Sequence, residues 1–159
     1  MRQEFDVRMT TAALYDYNMH HTYTGSAGIV GTAFGAMLLI IFVSNRQPAF
    51  LFAGLVVILY SPVALYLNSR KQVKLNPMFK NPIHYVMDED GVTVSQGEQE
   101  MSASWDQILK AVSTNQSLLL YTSRNSAWIF PKADLGEKRY DIIEMISTHM
   151  PPAKVKIKQ

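Results

Sequence analysis

Two long apolar segments, residues 25–44 and 49–67, dominate the pattern of hydrophobic and polar positions along the chain. Between residues 17 and 69 the only Asp, Glu, Lys or Arg is Arg46, in the short polar stretch SNRQP that separates them. A helix rises about 1.5 Å per residue, so each segment would span a hydrocarbon core of about 30 Å. Neither segment has the polar stripe of an amphipathic surface helix. The pattern therefore predicts a membrane α-helical hairpin of two transmembrane helices, with Pro48 at the start of the second.

Basic residues flank the predicted hairpin unequally. Arg46 alone lies in the connection, whereas six Lys or Arg flank the hairpin on the side of the two termini. These six are Arg2, Arg8, Arg70, Lys71, Lys74 and Lys80. Because cytoplasmic flanks carry the excess of Lys and Arg, we expect a multi-pass protein of the cell (inner) membrane with both termini in the cytoplasm.

Within the first span, Ala27, Gly31 and Gly35 recur every four residues and form a face of small side chains. Such a face lets two helices approach closely. It could pack against the second helix of the same hairpin, near Ala53 and Gly54, or against a second copy of the chain. Neither span contains Asp, Glu, Lys, Arg or His, the residues that usually mark ion or proton pathways, so a two-span chain alone is a poor transporter candidate.

Polar segments flank the hairpin on both sides. Residues 1–24 predict a half-buried strand near residues 5–9 and an interfacial helix capped by Thr10 or Thr11. The hairpin occupies residues 25–69, and residues 70–82 form a basic, proline-containing juxtamembrane linker. Its basic residues could enforce the topology or contact anionic lipid headgroups, and the headgroup-contact candidates are Arg70, Lys71, Lys74 and Lys80.

From residue 83 onward the pattern changes to short alternating strands with turns between them, including a strong hairpin signal at Asp90-Gly91. A helical period follows, with Asp134 as the expected N-cap and an apolar face that comprises Leu135, Ile142, Ile143 and Ile146. The last alternating segment, KVKIKQ, predicts an edge strand. Residues 83–159 therefore predict an α+β domain of pleckstrin-homology-like plan, an antiparallel sheet capped by a C-terminal helix, to which residues 5–9 can add a strand.

Four segments of the sequence resemble those of a known family. The segments YDYNMHHTYT, NPMFKNPIHYVMDEDGV, SWDQILKAV and SLLLYTSRNSAWIFPK occur in order around a glycine-containing hairpin. Together they resemble the YcxB-like small bacterial membrane proteins. The resemblance implies two transmembrane helices and a cytoplasmic, pleckstrin-homology-like C-terminal domain of poorly defined function, and it carries over no catalytic residue.

The sequence contains no recognisable catalytic or metal-binding pattern. There is no cysteine, which excludes thiolate metal sites and a cysteine nucleophile. The pair His20-His21 lacks a third ligand at regular spacing, and the carboxylates of residues 88–90 lie in a predicted turn. A net charge of +2 is too small to indicate nucleic-acid binding. We therefore expect no enzyme activity, no cofactor, no metal and no nucleic-acid partner.

Two functional hypotheses follow. The first is a membrane-tethered, non-catalytic module that binds a protein or an anionic lipid headgroup at the cytoplasmic face, in envelope stress or in immunity to antimicrobial peptides. Trp105 and Trp128 are its candidate partner-binding residues, with core packing as the alternative for each. The second is a homo-oligomeric channel or transporter subunit that assembles through the small-residue face of the first span.

Overall fold

The computed structural model describes residues 2–157, apart from the side chain of Ala27. Three helices follow a first strand and form the helical part of the chain. They are α1 (Thr11–Thr24), α2 (Ser26–Asn45) and α3 (Pro48–Leu75). The Thr10 side chain accepts a hydrogen bond of 3.1 Å from the Ala13 N–H, which confirms the predicted cap of α1.

Helices α2 and α3 form the predicted hairpin. Arg46 adopts a left-handed conformation (φ 53°) that ends α2, and Pro48 begins α3. The helices approach closely at Gly35 and Gly54, because a Cβ on Gly35 would lie only 3.2 Å from the Gly54 carbonyl oxygen. Both helices are long and apolar enough to cross a membrane, and few of their residues are buried within the chain.

The first sheet has four antiparallel strands in the order β1-β2-β3-β4. The strands are β1 (Gln3–Val7), β2 (Ile83–Met87), β3 (Gly91–Gln96) and β4 (Gln99–Ser104). Strand β1 lies opposite β2 in a register that pairs Phe5 with Tyr85. This pairing confirms that the N-terminal segment supplies a strand, which begins and ends two residues earlier than the predicted 5–9.

The second sheet has the order β7-β6-β5-β8. Its strands are β5 (Lys110–Ser113), β6 (Ser117–Tyr121), β7 (Ala127–Pro131) and β8 (Val155–Lys156). Strand β8 pairs in parallel with β5 and confirms the predicted C-terminal edge strand. All five residues of β6 are buried, since a core lies on one face of the sheet and Met9, together with Ala13 and Leu14 of α1, covers the other.

The predicted C-terminal helix is in fact interrupted. It consists of α4 (Lys132–Leu135), a short 3₁₀ turn and α5 (Arg139–His149), because Gly136 has a positive φ of 51°. The prediction that Asp134 is the N-cap is wrong, since its carboxylate instead accepts a hydrogen bond of 2.9 Å from the backbone N–H of Arg8. The predicted apolar face is confirmed, because Leu135, Ile142, Ile143 and Ile146 are all buried in the main core.

The segment between the hairpin and β2 is more helical than its composition indicates. Helix α3 continues through Arg70, Lys71 and Lys74 to Leu75, and a 3₁₀ turn at Pro77–Phe79 follows. The Asn76 side chain starts that turn by accepting from the Met78 N–H at 3.0 Å. The basic residues after the second apolar segment are therefore held on a helix.

Candidate functional site

An apolar groove of about 310 Å³ opens between the two sheets, beside the helical part of the chain. Side chains from α1, from the turn after α3 and from strands of both sheets line it. The main ones are Tyr17, Phe79, Tyr85, Val94, Met101 and Trp128. A mostly apolar concavity with a few polar groups is the usual form of a ligand-binding site.

Aromatic rings form the inner wall of the groove. The Tyr85 ring is buried and makes an edge-to-face contact with Phe130, with ring centroids 4.8 Å apart. The half-buried Trp128 ring packs against Tyr85 at 6.5 Å and leaves part of its surface in the groove. Burial raises the pKa of Tyr85, so its hydroxyl stays neutral at physiological pH. The wall is therefore aromatic and uncharged.

Hydrogen bonds attach the groove to the helical part of the chain. The Tyr17 hydroxyl on α1 donates to the Asn125 carbonyl oxygen at 3.0 Å, across the turn between β6 and β7. The Gln96 side-chain amide at the end of β3 donates to the carbonyl oxygen of Met78. The first bond joins α1 to the β6–β7 turn of the second sheet, and the second joins the turn after α3 to the end of β3 in the first sheet. The groove consequently lies where both sheets meet α1 and the turn after α3.

One margin of the groove is the free edge of a strand. Within residues 2–157, β4 pairs only with β3, and its outer edge has no strand partner. The other sheet edges are better covered, since β8 pairs with β5 and helix α4 contacts both β1 and β7. Gln99 and Met101 of β4 line the groove, and Met101 is 64% exposed. Because side chains alternate along a strand, Glu100 and Ser102 lie on the opposite face.

The two tryptophans occupy different environments. Trp105 is only 6% exposed, its indole N–H donates to the Asp88 carbonyl oxygen at 3.0 Å, and its ring stacks on His149 with centroids 5.2 Å apart. It is a core residue. Trp128 lines the groove, so of the two candidate partner-binding residues it is the one that a ligand can reach.

The four candidate headgroup-contact residues, Arg70, Lys71, Lys74 and Lys80, are all exposed. Three of them lie in the last two turns of α3, beyond the apolar segment that ends at Leu67. Between them and the apolar segment, Ser69 is fully buried, accepts from the Asn18 amide at 2.9 Å and donates to the Leu65 carbonyl oxygen. The basic group therefore begins at the level where α1 crosses α3.

The small-residue face of α2 is only partly used. Gly35 contacts α3, whereas nothing lies within 4 Å of a Cβ placed on Gly31. The side chain of Ala27, the third predicted member of this face, lies outside the described residues. The intramolecular contact thus accounts for Gly35 and leaves Gly31 open.

The candidate chemical groups occupy structural positions. The Asp88 carboxylate accepts from the N–H groups of Asp90 and Gly91 at 3.0 and 3.1 Å, which stabilises the turn between β2 and β3. The His21 ring stacks with Tyr17 and Tyr121. Among residues 2–157 there is no cluster of three or more His, Cys, Asp or Glu side chains that could bind a metal.

Sequence reasoning did not identify the groove, because its lining comes from segments far apart along the chain. A local signal was nevertheless present in Met78, Phe79 and Met101, which are large apolar residues within otherwise polar stretches. Residues 88–145 match the family model described as YcxB-like protein, which confirms the resemblance over β3 to most of α5. No curated protein and no solved structure matches the chain.

Proposed function

We propose that the chain that carries this YcxB-like segment is a non-catalytic binding module, tethered to the cytoplasmic face of the cell membrane. Helices α2 and α3 are its anchor. The groove and the free edge of β4 are its ligand site, and the ligand is an extended segment of another polypeptide.

Membrane insertion is supported by the surface of the hairpin. Large apolar side chains such as Ile40, Val56 and Leu59 are more than half exposed along α2 and α3. A continuous apolar surface of this size is unfavourable in water but suits a bilayer. The excess of Lys and Arg on the side of the termini supports a cytoplasmic location for the sheets.

The pleckstrin-homology-like plan is supported by the order of elements. One four-stranded antiparallel sheet, a second sheet built on β5, β6 and β7, and a C-terminal helix that closes the core occur in that sequence. Strand β1, which precedes the hairpin in the sequence, completes the first sheet by pairing with β2, which follows the hairpin. Domains of this plan serve diverse binding functions, so the site itself must carry the argument.

The free edge of β4 beside an apolar groove is the observation that carries the proposal. Unpaired strand edges attract other strands, and proteins usually cover or shorten them. An extended peptide that pairs with β4 would gain main-chain hydrogen bonds there and place alternate side chains in the groove. Since Glu100 lies on the other face of β4, a basic residue between two apolar ones would complement both faces.

The basic group at the end of α3 supports close attachment to an anionic leaflet. Each Lys or Arg near such a surface contributes on the order of 1 kcal/mol. Arg70, Lys71 and Lys74 lie on one continuous helix with the apolar segment, and Lys80 follows the 3₁₀ turn. Headgroup contact at these four positions would hold the groove close to the membrane, where a tethered partner has a high effective concentration.

Site-specific photo-crosslinking in living cells tests the site. A benzoyl-phenylalanine at Met101 of the full-length chain should give a polypeptide adduct, whereas the same group at Ser102, one residue along β4 on the opposite face, should give much less. A synthetic peptide of the captured segment should then bind the purified protein, and Met101→Lys should weaken this binding far more than Ser102→Lys. Equal crosslinking from both positions, or adducts with lipid alone at Met101, would refute a peptide site.

The alternative, a homo-oligomeric channel or transporter subunit, has one structural feature in its favour. Gly31 faces open space on α2 and could receive a helix of another copy. The contact between Gly35 and α3 already uses part of the same face, which reduces what remains for an oligomer.

A further inference from the structure

A second pocket, polar and separate from the groove, lies between α1 and the start of the C-terminal helices. It has a volume of about 600 Å³ and shares no lining residue with the groove. Helix α1 contributes Asp16 and His20, the turn between β5 and β6 contributes Thr114, and Lys132 and Arg139 come from the starts of α4 and α5. Residues far apart in sequence thus converge on one opening.

The pocket contains more positive than negative charge. Burial lowers the pKa of Lys132, and the nearby positive charge of Arg139 lowers it further. The carboxylate of Asp16 is the only one in the lining, and it already accepts a hydrogen bond from the Thr114 hydroxyl. The Lys132 ammonium donates to the Thr114 carbonyl oxygen.

Arg139 has no polar partner among the described residues. Its Nε is buried and has no hydrogen-bond partner among the described residues. The guanidinium also forms no ion pair with any residue of the described part of the chain. Arg139 is half-buried and belongs to the pocket lining, so its guanidinium can meet a ligand oxygen there. An anion in the pocket would give this cation the charged partner that it lacks among the described residues.

His20 adds a neutral group beside these cations. Burial lowers its pKa, and the nearby positive charge of Lys110 lowers it further, against the opposing effect of Asp16. The ring is therefore neutral near pH 7 and can donate a hydrogen bond without adding charge. The amide of Asn115 provides a further donor in the lining, whereas the Ser113 hydroxyl already donates to the Thr114 carbonyl oxygen at 3.4 Å.

The height of the pocket relative to the membrane follows from a contact of α1. The Asn18 amide, two residues before His20, hydrogen-bonds to the Ser69 hydroxyl at 2.9 Å. Ser69 lies just beyond the apolar segment that ends at Leu67. On the proposed membrane placement, the pocket is therefore close to the level of the lipid headgroups.

We propose that this pocket binds a phosphate group. Two cations that approach from different helices, together with the His20 ring and the Asn115 amide as donors, suit the several oxygens of a tetrahedral phosphate, and the planar Arg139 fork suits two of them. The phosphate can belong to a lipid headgroup or to a soluble phosphate compound, and the experiment separates the two. The proposal uses the membrane placement for the lipid source only, and it does not depend on the ligand of the groove.

The test uses the full-length protein in nanodiscs and follows the His20 ring resonances by NMR. In phosphatidylcholine nanodiscs, titration with inorganic phosphate should shift these resonances saturably if the source is soluble. In nanodiscs that contain phosphatidylglycerol, the shift should be present before phosphate is added if the source is lipid. Either result supports the site.

Arg139→Gln should weaken the response about tenfold or more, because it removes a charge-assisted hydrogen bond. Arg139→Lys keeps the charge and should retain part of the His20 response. Lys156→Gln removes an exposed charge outside the pocket and should leave the His20 response unchanged. No shift with either phosphate or phosphatidylglycerol, or equal weakening by Lys156→Gln, would overturn the proposal. Arg139→Gln should also leave crosslinking at Met101 intact, so failure of one proposal does not affect the other.

Discussion

The pairing of β1 with β2 predicts that Phe5, which precedes the hairpin, stabilises the sheets that follow it. Phe5 is 6% exposed, stacks on Tyr85 with ring centroids 5.6 Å apart and meets the Phe130 ring edge-to-face at 5.3 Å. Replacing a buried Phe with Ala costs about 3–5 kcal/mol through lost transfer free energy and the cavity left behind. We expect Phe5→Ala to lower the free energy of unfolding of the sheet domain by about that amount.

Asp6→Ala is the matched control. Asp6 is the next residue of β1 and points to the other face, where its carboxylate lies 2.8 Å from the His84 ring Nδ1 in an exposed contact. Exposed pairs of this kind contribute about 0–1 kcal/mol. The assay is denaturant unfolding of the full-length protein in detergent, followed by the fluorescence of the buried Trp105. If Phe5→Ala costs no more than Asp6→Ala, β1 does not complete the sheet and the fold described above is wrong.

Complementation provides a second measurement of the same contact. A fragment of residues 83–157 lacks β1 and leaves one edge of β2 unpaired. Addition of a peptide of residues 2–9 should raise the unfolding midpoint of this fragment, and the rise should grow with the logarithm of the peptide concentration once the peptide exceeds its Kd. The same peptide with Phe5→Ala should have a much smaller effect.

Two further predictions concern the helical part of the chain. Because the chain has no cysteine and Gly31 faces open space, Gly31→Cys should fold normally and report contact between two copies as a disulfide-linked dimer. The module hypothesis predicts no more of this dimer than for Ile40→Cys, at an exposed position of α2. A strong dimer band specific to Gly31→Cys would favour the oligomeric alternative. For His20, burial and then Lys110 lower the pKa below 6.5, Asp16 opposes them and His21 contributes a further lowering. NMR titration should show that Lys110→Gln raises the pKa of His20 and that Asp16→Asn lowers it. Since the folded state disfavours protonated His20, its contribution to stability should be complete above pH 6.5 and be lost as the pH falls through the lowered pKa. A His20 pKa above 6.5 in the wild-type protein would contradict this reasoning.

Local patterns predicted the elements of this fold well where side-chain periodicity decides the structure. The two apolar segments, the alternating strands and the turn at Asp90-Gly91 all appear where the sequence indicates them. Each of these elements must bury one face or all of its surface, and the spacing of its apolar residues shows this within a few positions. The apolar face of α5 was predictable for the same reason.

The differences arise where tertiary contacts outweigh a local rule. Asp134 fits the N-cap pattern, but in the structure its carboxylate binds the N–H of Arg8, which lies 126 residues earlier in the sequence. The basic segment after Ser69 looks like a linker, yet it continues α3 to Leu75. No short window shows that Lys132 and Arg139 would converge with His20, or that Trp128 would face an opening while Trp105 would not. These outcomes depend on how the sheets and helices pack together.

The bond between the first strand and the strand that follows the hairpin constrains how the polypeptide threads a bilayer. Two strands of one sheet share one compartment, so any crossings between Val7 and Ile83 must come in even number. This parity requirement is independent of the basic residues that bias insertion. On the proposed membrane placement, deletion of either helix alone would put β1 and β2 on opposite sides of the bilayer, so the first sheet could form only in chains that have inserted both helices.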